Sequence, residues 1–252
     1  MLLAGSEHHL LASRSSGRPF LKAARFLLAP ILMVMCAQSL FAQTTCPETV
    51  MTPACGTVHT TASRDSASCD FGEGGGYTFV DHRLGALEAY CGGGDGGAGF
   101  WLDAVDRYRV TGLPAGTPVT VVAHFRVNVQ LNLSCGYYPT GSGAASLRHG
   151  TSESSISVGF PSCNPPYGNC CGRSASRAED LAVTIAINAE DEFVLTASIS
   201  AYMNWGTAWT NGTLSFSDIP QGASVVSCKA FQQDAPTEVR SASWGQIKTR
   251  YR

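Results

Sequence analysis

The chain has 252 residues, of which 44% are hydrophobic and 14% charged, with ten cysteines and a formal net charge of −2 at pH 7. Between residues 43 and 239 nine Lys/Arg stand against 18 Asp/Glu. This excludes nucleic acid as the main partner, because phosphate binding needs a basic surface.

Arg18, Lys22 and Arg25 precede the unbroken apolar run Phe26 to Ala37, and small residues follow. That is the layout of a secretory signal peptide, with cleavage after Ser39 or Ala42. The apolar run of about 12 residues is short of the ~20 needed to cross a bilayer. Residues 1–42 are therefore read as an N-terminal extension and signal peptide, and the remainder as secreted or periplasmic/cell-envelope protein with no transmembrane span after cleavage. Nine cysteines remain: Cys46, Cys55, Cys69, Cys91, Cys135, Cys163, Cys170, Cys171 and Cys228. In an exported chain they are disulfide candidates. No C-x-x-C pair, the zinc signature, occurs among them. Nine is odd, so one thiol is free, pairs between molecules, or competes at the adjacent Cys170-Cys171 step.

Residues 43–76, rich in Thr, Ser, Gly and Cys, read as irregular. Short strands are expected at Tyr77 to Val80, Leu87 to Tyr90 and Phe100 to Val110, with a glycine loop over 92–99. Gly112 to Pro118 carries turn chemistry. The strongest signal follows: Val119, Val121, Ala123, Phe125, Val127, Val129 and Leu131 share one face, while Thr120, His124, Arg126, Asn128 and Gln130 share the other. Such period-2 alternation marks a half-buried strand. Further strands are expected at Ala144 to Leu147 and Ser154 to Val158, then an irregular stretch over 159–178. Leu181 to Ile187 and Phe193 to Met203 alternate again around the turn Asn188 to Asp191 and are expected to form a hairpin. Gly212 to Ser217 and Ser224 to Ala230 close the series around the turn Ile219 to Gly222. No helical pattern separates these strands, which predicts an all-β, antiparallel, jelly-roll-like β-sandwich held by disulfides, as one domain over 43–231. Residues 232–252 read as a linker and a short basic, aromatic tail in which Trp244, Ile247 and Tyr251 have helical spacing.

The catalytic signatures Gly-x-Ser-x-Gly, Ser-x-x-Lys and His-Glu-x-x-His are missing, although a triad drawn from distant residues around His59, His82, His124 or His149 remains open. Asp81 and His82 are neighbours on a strand, so they should face opposite ways. Glu88, Asp103 and Asp106 are the carboxylates a glycosidase pair would need and are read as solvated surface. Asp95 and Asp70 to Glu73 sit in glycine-rich loops without a calcium-site spacing. No metal or cofactor is expected.

The site with most support is a binding surface: the polar row His124, Arg126, Asn128 and Gln130, together with Trp205, Trp209 and Tyr137, and with Trp101 and Tyr138 as further aromatics. Aromatic rings beside amides cover apolar sugar faces and bond hydroxyls. The plainer alternative is a solvated row with tryptophans filling the sandwich ends. The expected function is a non-enzymatic protein that binds a carbohydrate or another cell-surface component. The alternative is a secreted, glycan-directed hydrolase with a loop-built site.

With Gly-Leu-Pro-Ala-Gly-Thr-Pro-Val at 112–119 and Phe-Ser-Asp-Ile-Pro-Gln-Gly-Ala-Ser-Val at 216–225, the chain resembles exported bacterial β-sandwich proteins of uncharacterised function. The resemblance implies an envelope ectodomain and no catalytic residues.

Overall fold

A computed structural model describes residues 46–52, 58–60, 64–70, 74–94, 97–136, 138–160 and 172–236. The leader, the 241–252 tail, Tyr137, Asp95, Cys55, Cys163, Cys170 and Cys171 lie outside the described residues. In chain order the strands are β1 (Val50–Thr52), β2 (Val58–Thr60), β3 (Arg64–Asp70), β4 (Gly75–Asp81), β5 (Ala86–Gly93), β6 (Ala98–Thr111), β7 (Pro118–Leu133), β8 (Thr140–His149), β9 (Ser152–Phe160), β10 (Ser174–Asn188), β11 (Glu192–Asn204), β12 (Gly206–Ser217), β13 (Ser224–Ser227) and β14 (Gln232–Asp234).

They form two antiparallel sheets packed face to face. The first runs β14-β13-β6-β11-β8-β9, and the second β10-β7-β12-β5-β4-β3-β2. Within them β10-β7-β12-β5 faces β9-β8-β11-β6, the interleaved pair of Greek keys of a jelly roll. One edge of β6 is taken by β11; the other is shared end to end by β1, opposite Trp101 to Asp103, and β13, opposite Tyr108 to Thr111. The Cys46–Cys228 disulfide ties these two short strands together.

Alternation dictates which atoms fill the space between the sheets. On β7 every odd residue from Val119 to Leu133 is buried, facing Phe100, Leu102, Leu195 and Ile199 of the first sheet. Each Val, Leu or Phe among them contributes about 1.5–3 kcal/mol by leaving water. Phe125 is 0% exposed, and its replacement by Ala would cost about 3–5 kcal/mol. The turn before β13 closes through Ala223 N–H donating to Pro220 O at 3.0 Å, with Gly222 at φ +81° where a side chain would be strained.

Several expectations need correction. The segments over 181–187 and 193–203 are strands, but no hairpin: β10 pairs with β7 in the second sheet, β11 with β6 and β8 in the first. Alternation shows that each has one buried face, not which sheet receives it. Residues 43–76 were expected to be irregular but contain β1, β2, β3 and the start of β4. Gln232 to Asp234, expected to open the linker, are β14 and pair with β13. Cys91, a disulfide candidate, is a free thiol in the core, since its side chain points inward with those of Leu87 and Ala89. Cys135 is disulfide-bonded, and Cys69 lies in β3.

Candidate functional site

Burial of the odd residues of β7 turns His124, Arg126, Asn128 and Gln130 outward, as the alternation requires. Neighbouring strands then determine what stands beside them. Across β7, β12, β5 and β4 the register aligns Gln130, Trp209, Tyr90 and Tyr77 in one transverse row. The adjacent row is Asn128, Asn211, Glu88 and Phe79. Seven of them stand between buried neighbours, and Tyr77 lies two residues from Phe79 on the same face of β4, so all eight share the outer face of the second sheet.

Glu88 organises the aromatic end. Its Oε1 accepts from Trp209 Nε1 at 2.9 Å and from the Tyr77 hydroxyl at 2.5 Å. Tyr77 and Tyr90 stack with centroids 5.6 Å apart and planes 28° from parallel. Partial burial, then the hydrogen bond and charge of Glu88, push the Tyr77 hydroxyl up to about 12, so it stays a donor at neutral pH. One carboxylate thus holds two rings, and adjacent strands ~4.8 Å apart make the three-ring row about 10 Å long. Beside Trp209 on β12 and on the neighbouring β7, no side-chain hydrogen bond within the described residues engages the amides of Asn211, Asn128 or Gln130.

At the far end of the same face His124 bridges three strands. Its Nδ1 lies 3.2 Å from Asp180 Oδ2 on β10, and its Nε2 lies 3.0 Å from Ser217 Oγ on β12. Arg126 Nε stands 3.9 Å from the same Asp180 oxygen, with its side chain 77% exposed.

The sequence-derived residues therefore separate. His124, Arg126, Asn128, Gln130 and Trp209 are brought together. Trp205 is not: it sits in the β11–β12 turn at φ +63°, packed on Gly136, with its ring nitrogen buried and unpartnered among the described residues. A Cβ at Gly136 would come within 2.0 Å of that indole. Trp101 is 49% exposed but belongs to the first sheet. Tyr77, Tyr90 and Phe79 were not anticipated as site residues, nor was the role of Glu88. The parity of Leu87, Ala89 and Cys91 against Glu88 and Tyr90 was the available signal.

The three carboxylates weighed as a glycosidase set do not converge. Glu88 and Asp103 lie on the outer faces of opposite sheets, and Asp106 is buried rather than solvated. Asp106 belongs to an internal polar cluster with Asp65, His82 and Lys229. His82 Nε2 lies 3.1 Å from Asp65 Oδ2 and 3.0 Å from Thr49 Oγ1. Lys229 Nζ donates to that Thr49 oxygen at 2.8 Å. Burial holds His82 below its ordinary value, helped by the Lys229 charge, and burial raises Asp106 above its own. Asp81 bonds Arg64 Nε at 2.6 Å instead; His82 lies in the turn just past β4, so the expectation of neighbours on one strand does not apply, and both side chains are buried with different partners. Among the described residues no cluster could hold a metal ion.

No family model matches the chain, and no curated protein does. Among solved structures it is similar to the carbohydrate-binding module TmCBM61 in complex with β-1,4-galactotriose, at 12% identity and a TM-score of 0.25. The match covers 61% of this chain and 86% of that one. A likeness this slight carries no argument about either fold or ligand.

Proposed function

We propose that this is an exported, non-catalytic carbohydrate-binding protein whose site is the outer face of the second sheet. The observation that carries the reading is the single row Gln130, Trp209, Tyr90 and Tyr77, with Glu88 fixing the rings beside it. Aromatic rings lie against the apolar faces of sugar rings, and the amides of Asn128, Gln130 and Asn211 exchange hydrogen bonds with hydroxyls. The leader-like N-terminus and the Cys46–Cys228 bridge support an oxidising compartment outside the cytosol. Titration with neutral oligosaccharides first found on a glycan array tests it. Trp209→Ala should weaken binding at least about tenfold, or ~1.4 kcal/mol, with an unchanged melting temperature. Equal affinity for wild type and variant at this face would remove the reading.

A second reading has one specific observation behind it, the Asp180–His124–Ser217 chain. In a hydrolase of acylated glycans, His124 would take the proton of Ser217 Oγ as that oxygen attacks an ester carbonyl, then return it to the leaving alcohol, while Asp180 orients the ring. Water would then release the acid from Ser217. Fluorophosphonate labelling of wild type but not Ser217→Ala would establish this reading, and absence of labelling would dismiss it.

A further inference from the structure

The opposite face of the sandwich has a different relief. Across β6, β11, β8 and β9 the register gives one outward row Trp101, Ser200, Ala144 and Ser157, and a second Asp103, Ser198, Ser146 and Ser155. Large side chains stand on β6 and small ones on the next three strands, which leaves a trough of about 500 Å³. Ligand pockets run from about 300 to 1,000 Å³. Trp101 and Asp103 form one wall, and Glu153 and Arg177 line the other side.

The chemistry of this trough is narrow. Its floor carries five serine hydroxyls, and no side-chain hydrogen bond within the described residues engages any of them, so each can donate and accept. The floor has no charge. Arg177, on the far side, is tied to Glu179 at 2.6 Å, which leaves little positive charge for an anion. The one large apolar surface is the Trp101 ring, 49% exposed. Disulfide-linked β1 flanks that wall: Thr52 pairs with Trp101 and Val50 with Asp103.

We propose that the trough is a second carbohydrate site, taking a neutral oligosaccharide segment with one ring against Trp101 and its hydroxyls on the serine floor. Because the two sites lie on opposite faces of one sandwich, a single molecule then bridges two glycan chains. The trough does not depend on the Trp209 face for its argument, and the two readings fail separately.

The test uses the full mature chain, neutral oligosaccharides displayed on an array, and beads coated with those that bind. Wild type should bind with a stoichiometry of two and agglutinate the beads. Trp101→Ala, and independently Ser200→Phe, which fills the floor, should each reduce the stoichiometry to one and abolish agglutination, with thermal midpoints unchanged. Trp209→Ala should leave the Trp101 site occupied. Full stoichiometry and agglutination in both trough variants would overturn the proposal, as would no binding of Trp209→Ala to any displayed sugar. Binding by Trp209→Ala that is undiminished in stoichiometry, and lost in Trp101→Ala, would instead retain the trough and remove the other face.

Discussion

The thiol of Cys91 lies entirely inside the core, and burial pushes it up to about 12. Alkylation needs the thiolate, so native protein at pH 8 should leave Cys91 unmodified by iodoacetamide, and denaturant should expose it. Peptide mapping after a short pulse checks this, and rapid native labelling at Cys91 would contradict the buried placement. An odd cysteine count after residue 42 left open whether the odd thiol is free, paired between molecules or competing at the Cys170-Cys171 step, and parity with Leu87 and Ala89 could have said which side of β5 Cys91 faces. Parity also made half of the binding face legible: the outward turn of His124, Arg126, Asn128 and Gln130 follows from their own strand. Tyr77, Tyr90 and Glu88 could not be placed this way. They join Trp209 only through the registers of β4, β5 and β12, and register is a property of strand pairs that are distant in sequence. Trp205 failed for a local reason, since its left-handed backbone turns the ring onto Gly136.

Among the elements, strong alternation translated well and weak composition did not. β7 was read almost to its ends, whereas β1 and β2 have three residues each, too few to show a period. The first half of β10, Ser174 to Asp180, is exposed or half-buried on both faces, so it shows no hydrophobic signal at all. The short strand β1 needs help to stay on β6, and the disulfide supplies it. Cys46 and Cys228 are 182 residues apart, and in the chain-entropy model closing so long a loop is worth about 5 kcal/mol, with measured values nearer 2–4. Cys46→Ser/Cys228→Ser should therefore lose about 2–4 kcal/mol in a denaturant titration. Amide exchange should accelerate first at Val50 to Thr52, uncovering the β6 edge at Trp101. The Trp209 face, on the other sheet, should bind as before. Uniform acceleration across both sheets would show instead that the bridge stabilises the fold without local preference.

For the molecule as a whole, the sheets enclose a hydrophobic layer that also contains charge, and this makes stability depend on pH in two opposing ways. His82 is held below its usual ~6.5, chiefly by burial and then by Lys229. As pH falls below about 6.5 the unfolded chain gains a proton that the folded one refuses, so His82 removes stability. Asp106 acts oppositely. Burial lifts its carboxyl above the usual ~3.9, although hydrogen bonds from Ser227 and the Arg107 amide, and the His82 and Lys229 charges, pull it down. The folded state takes up this proton first on acidification. Asp106 therefore adds stability as pH falls towards about 4 and withdraws it as pH rises through the folded value. Asp106→Asn imitates the protonated acid and keeps an oxygen for the Arg107 amide, which lies 2.7 Å from Oδ1. Removing the Asp106 charge also takes away an interaction that raises His82, so the variant loses more stability than wild type below about pH 6.5, which narrows the difference in the same direction. The variant should melt a few degrees above wild type at pH 8, since ~1 kcal/mol corresponds to about 2–4 °C at this size. The gap should close as the buffer approaches pH 4. Scanning calorimetry across that range decides it: a gap that stays constant, or a variant less stable than wild type at pH 8, would mean that Asp106 is ionised without cost inside this sandwich.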